Sequence, residues 1–422
     1  MNFANVTDWI IPEGSVTQVT DSNGDIIWKK EQINPQTTYF FIEDVSGADN
    51  TLTIAHNTNA PNFTLYTSTN QSNWTNIGNT SSGNLTATVP ANSKLYLRAT
   101  ASAWGSGTQF RANRIRLSGN YNVGGNIMTL LKASTSYTSL SSSGEWTFLE
   151  LFENETKLLN ANLLYLPTDT KRHCYHSMFE GCTNLRTAPT LPATTMTEDC
   201  YNGMFNGCTN LRTAPALPAT DLTGGTSCYV NLFRNCTSLT TAPALPATTL
   251  ATSCYLSMFN GCTGITVAPT LPATSLADSC YYGMFTNTGL TTAPALPAPY
   301  MAASCYKEMF ENCANLVNAP ILSSTSLNTE CYLGMFRGCT SLTTAPALPA
   351  TSLREKCYAY MFQNCSSLNS ITTYASNISA SSCLLNWMSG VSAHGDFWNL
   401  GSATYESGVN GIPSGWTEHT SL

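Results

Sequence analysis

Hydrophobic and polar positions follow two different rhythms along the chain. Between residues 36 and 127 the runs TTYFFIEDV, TLTIAH, NFTLYTST, LTATVP, KLYLRATA and NRIRLSG are rich in β-branched and aromatic residues and are separated by Asn, Gly and Ser. Short runs of that composition, bounded by turn residues, predict strands. Residues 36–127 are therefore expected to form a small antiparallel β-sandwich. Ahead of them, VTQVTDSNGDIIWK places two strand-like runs around Asn23-Gly24, a strong signal for a two-residue hairpin. A lone hairpin is too short to be a domain, so residues 1–35 read as an arm that docks on something else.

Beyond this region a repeat takes over. Cys-Tyr recurs at Cys174, Cys200, Cys228, Cys254, Cys280, Cys305, Cys331 and Cys357, and Cys383 keeps the register without the Tyr, in steps of 26, 28, 26, 26, 25, 26, 26 and 26 residues. A fixed period in this range predicts stacked units, each burying its apolar face only against its neighbours. In the unit CYLSMFNGCTGITVAPTLPATSLADS, Leu250, Cys254, Met258, Cys262 and Ile265 have the spacing of one side of a short helix, with Gly261 suited to its stop. Ala268-Pro269-Thr270-Leu271-Pro272 is barred from a helix by its prolines and reads as a short strand and turn. Residues 174–390 are thus expected to form an α/β solenoid of about nine to ten coils.

The ends depart from this pattern. Leu151-Phe152, Leu158 and Leu166-Pro167 form a degenerate unit, so residues 128–173 read as junction and N-terminal cap. Trp387-Met388 replaces Met-Phe, Val391 replaces the second Cys, and residues 391–422 with GVNGIPSGWTEH read as the C-terminal cap. The unit CYYGMFTNTGL has lost its second Cys and one residue, so Thr288 and Gly289 are expected to distort the stack locally.

Candidate chemistry is sparse. All sixteen cysteines lie between Cys174 and Cys383. On a helix, two cysteines eight apart sit ~12 Å from each other, too far for a disulfide. No Cys-x-x-Cys or Cys/His pair of zinc-ligand spacing occurs in the repeats. Only His173 and His176, of five histidines, lie beside a repeat Cys as a base for it. A buried thiol ladder is the expectation. The Tyr at 175, 201, 229, 255, 281, 306, 332 and 358 would form a column, as core packing or as a surface that grips sugar rings. The residues between Tyr and Met, and the one after Phe, vary without pattern and suggest a solvated outer face. Trp74, Trp104, Tyr66 and Tyr96 suit either a sandwich core or a carbohydrate platform. Glu198-Asp199, Glu308, Glu311, Glu330 and Glu355 occupy non-repeating positions, as solvated surface carboxylates do. Catalytic, cofactor-binding and metal residues are expected to be none, and no ligand-binding residue is assigned.

Composition narrows the partners. With 18 Lys and Arg against 25 Asp and Glu, a net charge of −7 and only 10% charged residues, the chain lacks the basic footprint of nucleic-acid or anionic-membrane binders. With 42% hydrophobic and 10% aromatic residues it can bury a core. No apolar run approaches the ~20 residues of a bilayer span, and MNFANVTDWIIPEG has no basic n-region, apolar h-region or cleavage site. Synthesis in a cytoplasm, without membrane insertion, is the expectation.

Units of the form Cys-Tyr-x-x-Met-Phe-x-Gly-Cys-Thr-x-Leu-x-x-Ala-Pro-x-Leu-Pro-Ala-Thr resemble the cysteine-containing BspA-type leucine-rich repeats of surface proteins of gut Bacteroidales and of proteins of their phages. The resemblance spans about residues 120 to 415, from Gly125-Asn126-Ile127-Met128 to Gly411-Ile412-Pro413-Ser414-Gly415-Trp416. The opening, with Ile11-Pro12-Glu13-Gly14 and Val16-Thr17-Gln18-Val19-Thr20-Asp21, is similar to starts of phage structural proteins. The resemblance implies adhesion or recognition with no catalytic residues to carry over. It points to a phage virion fibre, spike or capsid-decorating subunit, contacting other virion proteins through its arm and a host glycan or protein through the solenoid or sandwich, a trimer by analogy. The alternatives are a bacterial cell-surface adhesin and a spike enzyme that depolymerises polysaccharide.

Overall fold

Alternating burial along the first strands sets the architecture. The computed structural model describes residues 18–20, 26–29, 33–106, 111–141 and 143–421. β1 (Gln18–Thr20) and β2 (Ile26–Lys29) pair antiparallel, while the Asn23-Gly24 turn expected between them lies outside the described residues. Residues 1–17, 21–25 and 30–32 of the arm lie outside the described residues. β3 (Phe40–Asp44), β4 (Asn50–Ala55), β5 (Thr64–Ser68), β6 (Thr75–Asn79), β7 (Leu85–Val89) and β8 (Lys94–Thr100) follow. Next come β9 (Gly105–Ser106), β10 (Arg111–Ala112), β11 (Arg114–Leu117), β12 (Tyr121–Asn126), the short helix α1 (Thr129–Lys132) and β13 (Leu158–Tyr165).

These strands build a three-stranded sheet, β11-β4-β7, and a six-stranded sheet, β13-β12-β3-β8-β5-β6. Phe40, Ile42, Leu65 and Leu97 of the larger sheet and Leu52, Ile54, Val89 and Ile115 of the smaller belong to one buried core. All pairings in the larger sheet are antiparallel except β12 with β13, which is parallel. That exception joins the sheets to the repeats. Asn160 of β13 bridges Thr187, and Thr187 bridges Thr213, so the parallel register passes directly into the repeat stack. Backbone bonds from Ile115 N–H to the Leu151 carbonyl and from Trp104 N–H to the Thr147 carbonyl reinforce the joint. The sheets therefore cover the first repeat, the sealing role that repeat arrays need at their ends.

The Cys-bearing segment is not helical, which corrects the sequence-based expectation. α1 is the only α-helix among the described residues. In each repeat three residues four apart have left-handed backbone, for example Ser253 (φ 55°), Ser257 (φ 52°) and Gly261 (φ 78°). A left-handed residue every fourth position cannot continue an α-helix. Hydrogen bonding alternates instead. Cys254, Leu256, Met258 and Asn260 donate to carbonyls three residues back, closing consecutive turns. Ser253, Tyr255, Ser257, Phe259 and Gly261 donate to Asp278, Cys280, Tyr282, Met284 and Thr286 of the next repeat, at 2.8 to 3.0 Å. A spacing of four thus arises from a turn of four residues, which puts Cys254, Met258 and Cys262 on one inward side as a helix would.

The Thr-x-Ala-Pro-x-Leu-Pro segments are extended, but they meet mostly in single parallel bridges, such as Val267 with Thr292 and Thr292 with Asn318. Two prolines in most units remove the donors that a longer ladder requires. At the far end β14 (Ser370–Thr373), β15 (Gly395–Asn399) and β16 (Trp416–His419) form a parallel sheet, and Trp387 is fully buried with its indole N–H on the Gly411 carbonyl at 3.0 Å. The chain is mostly β and turn, and no described helix is long and apolar enough to cross a membrane.

Candidate functional site

The residues kept from repeat to repeat are core. All sixteen cysteines are free and buried. The second Cys of a repeat also makes a specific bond. Cys208, Cys236, Cys262, Cys313, Cys339 and Cys365 lie 2.9 to 3.1 Å from the Phe carbonyl of the preceding repeat, as S–H donors. That carbonyl already closes a turn within its own repeat, as Phe205 does with the Cys208 N–H at 3.1 Å. The thiol fills apolar space and gives the same oxygen a second, weak bond. Burial pushes the Cys200, Cys254, Cys262, Cys357 and Cys365 thiols up to about 12, the opposite of what a nucleophile needs.

The tyrosines stack in a column with ring centroids 5.5 to 6.1 Å apart, and each is at most 2% exposed. A second column runs through Phe179, Phe205, Phe233, Phe259, Phe285, Phe310, Phe336 and Phe362 at 5.6 to 6.0 Å. Neither column offers a face to a sugar. Both pass through the shortened unit undisturbed, with Tyr255 to Tyr281 at 5.7 Å and Tyr281 to Tyr306 at 5.8 Å. Thr288 takes the place of the missing Cys and bonds the Phe285 carbonyl at 2.8 Å, so the expected distortion does not reach the core. The shortening appears at the surface, as a shallow hollow lined by Thr263, Asn287, Gly289 and Asn312.

The variable positions are less solvated than expected. Val230, Leu333 and Ala359 are buried and Leu256, Lys307 and Tyr360 half-buried, because every second residue of this segment is tied to the next repeat. The carboxylates meet cations. Glu198 takes a two-pronged bond from Arg172 at 2.9 and 3.0 Å, Glu308 and Glu311 share Arg337, Glu330 lies 2.9 Å from Lys307 and 3.5 Å from Lys356, and Glu355 is 3.7 Å from Lys356. Burial and then the neighbouring Glu311 raise the Glu308 carboxyl. These two acids converge on an arginine rather than face each other across a cleft.

The four candidate aromatics divide. Trp104 is core, its ring 4.4 Å from Phe63 and its indole N–H on the Leu130 carbonyl at 3.0 Å. Tyr66, Trp74 and Tyr96 lie half-buried on the outer side of the six-stranded sheet. Register explains the grouping: Tyr66 of β5 faces Arg98 of β8, and Phe41 of β3 faces Tyr96 of β8. The Arg98 guanidinium sits 4.4 Å from the Trp74 ring and 5.3 Å from Tyr66, Tyr39 packs 4.7 Å from Trp74, and Lys94 Nζ lies 4.4 Å over Phe41. A strip of rings held by cations results, with Glu43 opposite Lys94 at its end. Nothing in the strand pattern alone separates Trp104 from Trp74; pairing register does.

The model of the BspA type leucine-rich repeat region, in six copies, matches residues 157–286 and 274–388, more than half of the chain. The chain belongs to this family. Its BspA-type repeats contain both aromatic columns and all the cysteines, whereas the aromatic strip on the sheet lies wholly before the matched residues. Comparison with curated proteins and with solved structures found no match.

Proposed function

We propose that this BspA-type repeat protein acts in recognition, binding a glycan-bearing surface through the outer face of its six-stranded sheet, with the repeats as a stiff extension in the form of a solenoid of nine to ten coils. The supporting observation is the division of labour among aromatic residues: those kept in every repeat are buried, while Tyr66, Trp74 and Tyr96 share an outer face with Arg98 and Lys94. Flat rings stack on the apolar faces of sugars, and the flanking charges hydrogen-bond their hydroxyls. Trp74→Ala and Arg98→Ala are expected to weaken binding of the full chain to its glycan by about three- to thirtyfold each, the range of a cation–π contact. Glycan-array binding read by titration tests this; unchanged affinity in both variants contradicts it, and release of reducing ends from a bound glycan favours the depolymerase reading.

Two settings suit such a module. The similarity of Ile11-Pro12-Glu13-Gly14 and its neighbours to phage structural proteins supports a virion fibre, spike or decorating subunit. Family membership supports a cell-surface adhesin equally well. Immunogold labelling with antibody against residues 174–383 decides: gold on phage particles supports the virion setting, and gold on intact cells alone supports the adhesin.

A further inference from the structure

His173, His176 and Asp199 converge where the first and second Cys-Tyr repeats meet, beside the N-terminal cap. One ligand atom from each lies within 4.8 Å of the others. Two features of the turn ladder bring them together. His176 N–H closes a turn on the His173 carbonyl at 3.4 Å, which turns both imidazoles toward one side. His173 N–H bonds the Glu198 carbonyl at 3.1 Å, which places Asp199 of the next repeat alongside, with its Oδ2 3.6 Å from His173 Nδ1. Both His173 (φ 54°) and Asp199 (φ 53°) occupy the left-handed position that begins the turn run of their repeats.

The set is held from outside. The Trp146 ring stacks on His173 at 3.6 Å between centroids and 11° between planes. Asn202 donates to Asp199 Oδ1 at 2.7 Å, leaving Oδ2 toward the histidines. Arg172, the adjacent cation, is occupied by Glu198 and lies 3.8 Å from Glu145, so the surrounding charge favours a cation. Burial holds both imidazoles below their ordinary value, His176 at about 4.

From this geometry we infer that His173, His176 and Asp199 form a binding site for a divalent transition-metal ion of the zinc class, which staples the first Cys-Tyr repeat to the second. Two imidazoles and a carboxylate form a three-residue donor set that zinc accepts, water completing a fourth position. Bonds of about 2.1 Å hold tetrahedral ligands roughly 3.4 Å apart, so modest side-chain rotation closes the shell. Asn202 is the outer partner that orients the carboxylate. The metal site is independent of the glycan reading.

Cobalt(II) titration of the chelator-treated full chain tests it. One ion per chain is expected, with visible bands of a nitrogen–oxygen shell, no thiolate charge-transfer band, and displacement by zinc. His176→Ala and Asp199→Asn are each expected to weaken binding more than Asn202→Ala, for which a loss of about 10- to 100-fold is expected. His419→Ala, at the separate His419–Asp396 pair, is expected to leave it unchanged. Absence of saturable binding, a thiolate band, or wild-type affinity in both His176→Ala and Asp199→Asn overturns the site. X-ray absorption of the zinc-loaded wild type needs no variant: two imidazoles and oxygen support the site, and a sulfur or all-oxygen shell overturns it.

Discussion

At the residue scale, the third left-handed position of each turn run carries a rule that the repeat consensus hides. It is Asn154, Gly181, Gly207, Asn235, Gly261, Asn287, Asn312, Gly338, Asn364 and Gly390 in succession, and all ten have positive φ. Gly and Asn pay least for that conformation. Each Asn followed by Gly also lays its side chain where a Cβ would stand: Asn235 Oδ1 would be 2.3 Å from a Cβ at 261, and Asn312 Oδ1 2.3 Å from one at 338. Gly207, which follows Gly181, has nothing closer than 3.7 Å. Gly207→Ala is therefore expected to cost about 1–2 kcal/mol, the left-handed penalty alone, and Gly261→Ala distinctly more. Asn235→Gly should relieve the excess, giving a coupling of about 0.5–3 kcal/mol in a double-mutant cycle by urea unfolding; equal costs for the two glycines contradict the contact. The cysteines make a parallel case. Cys236→Ala removes the S–H bond to the Phe205 carbonyl and is expected to destabilise by about 1–3 kcal/mol, measured the same way.

At the element scale, the sequence disclosed the repeat, its register and the inward set, because burial of Cys, Tyr, Met, Phe and Leu is all that period and composition report. It misled on conformation. A four-residue turn and a 3.6-residue helix place Cys254, Met258 and Cys262 on the same side, so hydrophobic spacing cannot separate them. The distinguishing signal was polar: Ser, Asn, Gly and Asp recurring every fourth residue, at Ser253, Ser257 and Gly261 or Asp199, Gly203 and Gly207, mark left-handed backbone. The far-ultraviolet circular dichroism spectrum of the full chain is accordingly expected to lack the α-helical double minimum, and its presence would restore the helical reading. The metal-type cluster was illegible for a different reason. His173 and His176 are adjacent in sequence, but Asp199 reaches them only through stacking register, 26 residues away as the equivalent of His173 in the next repeat.

At the scale of the whole molecule, one core runs from the two sheets through the columns to Trp387 and Phe397. That core is filled with thiols and phenols that must stay neutral, which fixes its response to alkali. Folded thiols held near 12 bind protons more tightly than unfolded ones, which titrate near ~8.5. Their stabilising effect is present in full below the unfolded value and declines as pH rises toward 12, by about 1.4 kcal/mol per pH unit for each thiol ionised only when unfolded. Urea midpoints are expected to hold level up to about pH 8 and to fall steeply above about pH 9; a midpoint that rises with alkali contradicts the buried ladder. The proposed division between an inert repeat interior and a recognising exterior rests on that ladder. Its most direct test is thiol counting with a small disulfide reagent at neutral pH, before and after denaturation. The native chain is expected to leave all sixteen cysteines unreacted and the unfolded chain to react at all sixteen. Rapid reaction of repeat cysteines in the folded protein, or fewer than sixteen thiols after unfolding without reductant, would show that the cysteines are exposed or bonded rather than core.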